Sequence, residues 1–188
     1  GRRSRTRLLF AWGEGAAPAG AVSVLLLAVV VAGAVTASPP RAAGSARSEA
    51  VAYLRAAQNQ DGGFGFSPDA ASSTAMTGWA ALGLEAAGVD PSSLRRGGKT
   101  PLSYLRSTVG GLEDAAALER TILVVEAAGL DSRRFAGRNL VKKLLKQRGS
   151  NGSWGGQVNP TAFGVLALTA AGAGGADRSA TWLVRNRN

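Results

Sequence analysis

Few residues in this chain can do chemistry. None of its 188 residues is Cys or His, which removes thiol nucleophiles, imidazole bases, disulfides and the usual zinc ligands together. Carboxylates remain. Glu113-Asp114 is the one adjacent acidic pair; it opens a helical run, where negative charge complements the helix dipole, so capping is expected rather than general-acid work. Asp61 stands in a glycine-rich loop, and one carboxylate makes no cation cluster; it is expected to form a turn. No catalytic residue, metal site or cofactor is expected. The polar residues best placed to touch a ligand are Gln157 and Asn159, which open an apolar helical run containing Phe163, and their counterparts Thr77 and Trp79 two units earlier. These five are the candidate ligand contacts.

The elements that must position them repeat. Glu85-Ala86-Ala87-Gly88, Glu126-Ala127-Ala128-Gly129 and Thr169-Ala170-Ala171-Gly172 each end an apolar run, with glycines 41 and 43 residues apart. A fixed period of that size marks a repeat architecture. Each glycine suits the left-handed residue that closes a helix, and Asp90-Pro91 and Asp131-Ser132 then read as starts of short helical turns. Amphipathic helices are expected from Ser48 to Gln58, Leu102 to Val109 and Arg138 to Gln147. Wholly apolar ones are expected from about Ser72 to Ala87, Glu113 to Ala128 and Thr161 to Ala171. The run Thr121 to Val125 alone resembles a strand, but its register with the other endings argues helix. A fourth unit opens near Asp177 and stops at Asn188. Amphipathic helices belong in an outer layer and apolar ones in an inner layer.

The first seven residues carry Arg2, Arg3, Arg5 and Arg7, and an apolar run spans Ala21 to Ala37. This reads as an export signal with cleavage after Val35-Thr36-Ala37, or else an uncleaved anchor. Either way the rest is expected outside the cytoplasm. The division is therefore 1–37 signal peptide or membrane anchor, 38–47 linker, and 48–188 helical repeats. From Ser38 onward the chain has 18 basic and 11 acidic residues. The basic clusters lack interleaved aromatics, so nucleic acid is not the expected partner. A solvated face meeting an anionic cell-surface polymer fits better.

Tyr53-Leu54-x3-Gln58-x3-Gly62-x-Phe64 resembles the QW motif of squalene–hopene and oxidosqualene cyclases, a basic-x2-aromatic-Leu-x3-Gln head followed by Gly-x-Trp. Phe64 replaces the Trp and Ala50 the basic residue. Gln147-x4-Gly152-x-Trp154-Gly155 resembles the tail of the motif, with Lys143 where Leu would sit. Tyr104-Leu105 keeps only a fragment, and Trp182-Leu183 starts a further copy with Arg187 in the Gln slot. Asn59 to Gly65 is similar to the glycine-rich loops of protein prenyltransferase β subunits. Both groups, the terpenoid cyclase and prenyltransferase/squalene oxidase repeat superfamily, share the α/α-toroid fold. The resemblance implies an all-α partial α/α toroid. It also implies structural roles for Tyr53, Leu54, Gln58, Gly62, Phe64, Gln147, Gly152 and Trp154: the Gln bonds free backbone groups at the next helix terminus and the aromatic stacks on it. The cyclase Asp-x-Asp-Asp acid and the prenyltransferase Asp/Cys/His zinc site have no counterpart here. The expectation is an exported, non-catalytic repeat protein with a small apolar or cofactor-like ligand in the toroid cavity, as in the cobalamin-binding transport proteins, or a surface partner. The alternative is an enzyme of this kind whose catalytic repeats lie beyond Asn188.

Overall fold

The computed structural model describes residues 40–187. These are all-α: α1 (Pro40–Ala57), α2 (Thr74–Ala86), α3 (Pro101–Thr108), α4 (Ala115–Ala127), α5 (Leu140–Lys146), α6 (Val158–Ala170) and α7 (Ala176–Arg185), with no β-strand among the described residues. The export or anchor segment expected at 1–37 lies outside them. Among the described residues no helix is long and apolar enough to cross a membrane.

Two of the boundaries differ from expectation by three residues or more. Helix α1 starts at Pro40 rather than Ser48, so the linker expected over 38–47 is helical from Pro40 on. The alanines and arginines there are good helix formers, and the Ser48 hydroxyl caps nothing; it donates to the Ser45 carbonyl at 2.8 Å. Helix α6 starts three residues before Thr161, bringing Asn159 into its first turn. The strand-like run Thr121 to Val125 is helical, inside α4.

The repeated glycines close the inner helices in one way. Gly88, Gly129 and Gly172 are left-handed, with φ of 76°, 72° and 57°. The amide after each reaches back five residues: Val89 to Leu84, Leu130 to Val125 and Ala173 to Leu168, at 2.8 to 2.9 Å. Each glycine amide reaches back three, to Glu85, Glu126 and Thr169. This is the paired Schellman pattern, which satisfies carbonyls that a helix end leaves free. Asp90 and Asp131 then open single helical turns, as expected, with Ser93 and Arg134 donating back to their carbonyls at 3.0 Å. Their carboxylates accept the amides of Ser92 at 2.7 Å and Arg133 at 2.8 Å.

Reversals bring the chain back into the outer helices. Gly97-Gly98 and Ala136-Gly137 have positive φ at both central residues of two tight turns, between Arg96 and Lys99 and between Phe135 and Arg138. That double left-handed step is the type I′ signature. Thr100, in a reciprocal capping box with Ser103, and Asn139 then cap α3 and α5.

Packing follows the expected alternation. Helix α4 lies between α2 and α6, and α3, α5 and α7 pack on α2, α4 and α6 respectively. Leu105, Leu118, Ile122, Leu144, Trp154 and Leu168 form the main core. A smaller cluster joins Phe64, Leu84 and Leu94, with Leu54 of α1 against it. Tyr53, expected to be structural, is 57% exposed; one step round the helix from Leu54, it faces away from that cluster.

Candidate ligand-binding site

Two glycine-rich loops set the starts of α2 and α6; they match residue for residue at a spacing of ninety, and the helices that follow them match at eighty-four. Asn59 donates its amide to Gly63 O at 2.9 Å, as Gly149 does to Ser153 O at 2.8 Å. Asp61 accepts the Gly63 amide at 2.9 Å, and Asn151 accepts the Ser153 amide at 3.0 Å. Phe64 N donates to the Thr77 hydroxyl at 2.9 Å, and Trp154 N to the Thr161 hydroxyl at 3.1 Å. Gly62 and Gly152 are left-handed, with φ of 84° and 97°, and a Cβ on either would lie within 2.9 Å of a neighbouring backbone oxygen, Thr100 O or Arg178 O. Phe64 and Trp154 are buried, and Trp154 Nε1 donates to Leu144 O at 3.0 Å. Each aromatic thus wedges under its inner helix.

This register corrects two expectations. Thr77 is buried and spends its hydroxyl on Phe64, so it holds the loop rather than a ligand. The counterpart of Gln58 is Arg148, not Gln147. Gln58 Nε2 donates to carbonyls, Gly62 O at 3.0 Å and Leu94 O at 3.5 Å, rather than serving free amides at a helix start. Arg148 Nη1 likewise reaches forward, to Gly175 O at 2.5 Å, and its guanidinium lies 5.8 Å from the Trp154 ring. Gln147 instead reaches back to Glu113 O at 2.9 Å.

The three inner helices meet at one level. Trp79, Arg120 and Phe163 each stand nine residues before a closing glycine, so they occupy the same position in successive repeats. The Trp79 and Phe163 rings meet edge to face at 5.6 Å, a favoured geometry for aromatic quadrupoles. The Arg120 guanidinium sits 5.4 Å from the Trp79 ring. A cavity of about 60 Å³ opens between them, lined also by Ala116, Glu119, Asn159 and Pro160. Three of the five expected contacts, Trp79, Asn159 and Phe163, therefore converge. Gln157 does not: it precedes α6, is exposed and makes no side-chain cap.

Glu119 and Arg120 are not legible as site residues, because the sequence of α4 reads as an apolar helix. The register of the closing glycines was the signal available: it sets Arg120 level with two aromatics. Glu119 is 1% exposed, and its Oε1 has no hydrogen-bond partner. Burial raises its pKa to about 7, with Asp114 adding and Arg120 opposing. Arg120 makes no ion pair or hydrogen bond among the described residues, and its Nε is buried without a partner. So the cavity joins two aromatic walls, a free guanidinium, a free amide and a carboxyl poised near neutrality.

A second groove of about 470 Å³ lies along α5, lined by Arg133, Asn139, Lys142, Leu145, Lys146 and Gly174 among others. Arg133 is anchored to Ala171 O at 2.6 Å and Gly172 O at 3.2 Å. Lys143 pairs with Glu113 at 2.9 Å, whereas Lys142 and Lys146 have no ion pair among the described residues.

Among the described residues no group of acidic side chains is placed to hold a metal ion. Glu119 is a lone carboxyl at the cavity, so the arrangement can bind and orient but presents no acid–base pair. No protein-family model, curated protein or solved structure matches the chain.

Proposed function

We propose that the chain is an exported repeat scaffold of the α/α-toroid kind, related to the terpenoid cyclases and prenyltransferases, that binds a small, largely apolar ligand on its inner helices without transforming it. One observation carries this reading: Trp79, Arg120 and Phe163, at the same position of three successive inner helices, converge on one cavity. Two large apolar side chains on the same helices are also exposed, Trp79 at 44% and Leu166 at 54%. Exposed aromatics beside a concavity are the usual signature of ligand contact. The alternation of inner and outer helices supports the toroid, and the apolar run from Ala21 to Ala37 supports export.

Calorimetric titration with octanol, an apolar probe with a single hydroxyl, tests the binding. The wild-type chain should take up one equivalent, and Phe163→Ala should weaken uptake about tenfold, as the loss of one aromatic contact implies. Absence of saturable binding, or unchanged affinity in Phe163→Ala, contradicts the proposal.

The groove along α5 favours a second reading, a contact with an anionic surface polymer through Lys142 and Lys146. Retention on a polyglutamate column that falls with salt and with Lys142→Gln/Lys146→Gln tests it.

A further inference from the structure

The geometry points to a carboxylate amphiphile as the ligand of the inner cavity, its head on the Arg120 guanidinium and its tail along Phe163 and Leu166. This deepens the binding reading above and rests on it.

Three observations narrow the head group. First, Arg120 is held by the Trp79 ring at 5.4 Å yet has no anionic partner among the described residues, and its Nε is buried unpaired. A guanidinium remains charged at any physiological pH, and its planar fork matches a carboxylate bidentately. Second, the cavity is about 60 Å³, enough for a few water molecules and so for a carboxylate, but tight for a diphosphate. Third, the charge count admits one negative charge. Glu119 lines the same cavity with an unpartnered, buried Oε1. Ionised, it would cancel Arg120 and repel an anion; protonated, it becomes a hydrogen-bond donor to one. A dianion beside it would face a single cation.

The tail follows from the helix. Phe163 and Leu166 lie three residues apart on α6, adjacent on one face, and Leu166 is 54% exposed. Asn159, four residues before Phe163, also lines the cavity and supplies a free amide. The charged groups acting on Glu119 are Arg120 beside it and Asp114 at the start of α4. From α2 and α6 the cavity receives only Trp79, Asn159, Pro160 and Phe163, none of which titrates. Binding should therefore weaken as Glu119 ionises.

The test compares octanoate with octanol on the full chain by calorimetry. At about pH 6 octanoate should bind roughly tenfold more tightly than octanol, as a charge-assisted hydrogen bond implies. That preference should shrink above about pH 7, where Glu119 loses its proton. Arg120→Gln should keep octanol binding and lose the preference; Arg120→Lys, which retains charge without the fork, should keep part of it. Glu119→Gln should keep the preference and lose its pH dependence, and it decides the matter should Arg120→Gln not fold. Equal affinity for the two probes, or a preference that survives Arg120→Gln, overturns the carboxylate assignment while leaving the binding site standing. Failure of both probes to bind overturns the site itself.

Discussion

Trp79 and Phe163, 84 residues apart in the chain, meet with ring centroids 5.6 Å apart and planes at 79°. The contact bridges α2 and α6 across α4, the helix between them. It exists because each ring stands nine residues before a glycine that closes its helix in the same way. Repetition of a helix ending thus becomes alignment of side chains in space. Beside the two rings, the unit in between supplies Arg120 where its neighbours have an aromatic.

Stability should fall with rising pH through Glu119. Its folded pKa of about 7 lies above the ordinary 4.5, because burial disfavours the charge. Between those values the unfolded chain has lost the proton that the folded chain keeps. Stability is therefore full below about 4.5, declines as pH rises to about 7, and is level above. The span is on the order of 3 kcal/mol. Urea melts of the wild type should show this decline and Glu119→Gln should flatten it. A wild-type profile flat from pH 5 to 8 would contradict the burial of this carboxyl.

Two glycines inside inner helices should respond oppositely to alanine. Gly83 is exposed in α2, and a Cβ there meets only Leu54 Cδ1 at 3.9 Å. Gly83→Ala should stabilise by about 0.5–1 kcal/mol through helix propensity. Gly164 of α6 lies against the buried Trp154 ring, where a Cβ would come within 2.6 Å of Cε3. Gly164→Ala should therefore destabilise by about 1–3 kcal/mol despite the same propensity gain. Thermal melts that shift the same way for both would refute the wedge beneath α6.

Pro91→Ser should repair an unpaired group. In the second unit Glu126 Oε1 accepts both the amide and the hydroxyl of Ser132, at 3.1 and 2.6 Å. The first-unit counterparts are Glu85 and Pro91, and proline offers neither donor. Glu85 Oε1 is accordingly buried without a partner, and burial, with Asp90 nearby, raises its pKa. Supplying serine should stabilise the fold by about 1 kcal/mol, the new bonds outweighing the lost rigidity of proline. It should also lower the Glu85 pKa, measurable by carboxyl NMR. An unchanged pKa with lower stability would show that the two turns are not equivalent.

Much of this fold is legible in the sequence, for reasons that sit in particular residues. Gly88, Gly129 and Gly172 mark helix ends because a left-handed residue is cheap only for glycine. Gly62-x-Phe64 and Gly152-x-Trp154 mark the loops, because crowding at the first position and a buried ring at the third leave little choice. Arg148 was hidden because motif spacing tolerates one extra residue and so favoured Gln147. Only the backbone register shows which side chain reaches the next outer helix. Glu119 and Arg120 are illegible for a different reason: the run from Glu113 to Ala128 reads as one apolar helix, and only packing shows which of its positions meet a cavity. A helix from Pro40 is not legible in the sequence, because a proline suits a helix's first turn as well as it suits a linker.

Fluorine NMR of the chain labelled with fluorotryptophan tests the inner-face site most directly. The protein has four tryptophans, each assignable by a single Trp→Phe change. Trp79 lines the cavity and is 44% exposed, whereas Trp154 is 1% exposed beneath α6. On titration with octanoate at about pH 6, the Trp79 resonance should shift to saturation, with Trp154 unmoved. A saturable shift of another tryptophan with Trp79 still, or no shift at all, would contradict a ligand site in the cavity lined by Trp79, Arg120 and Phe163.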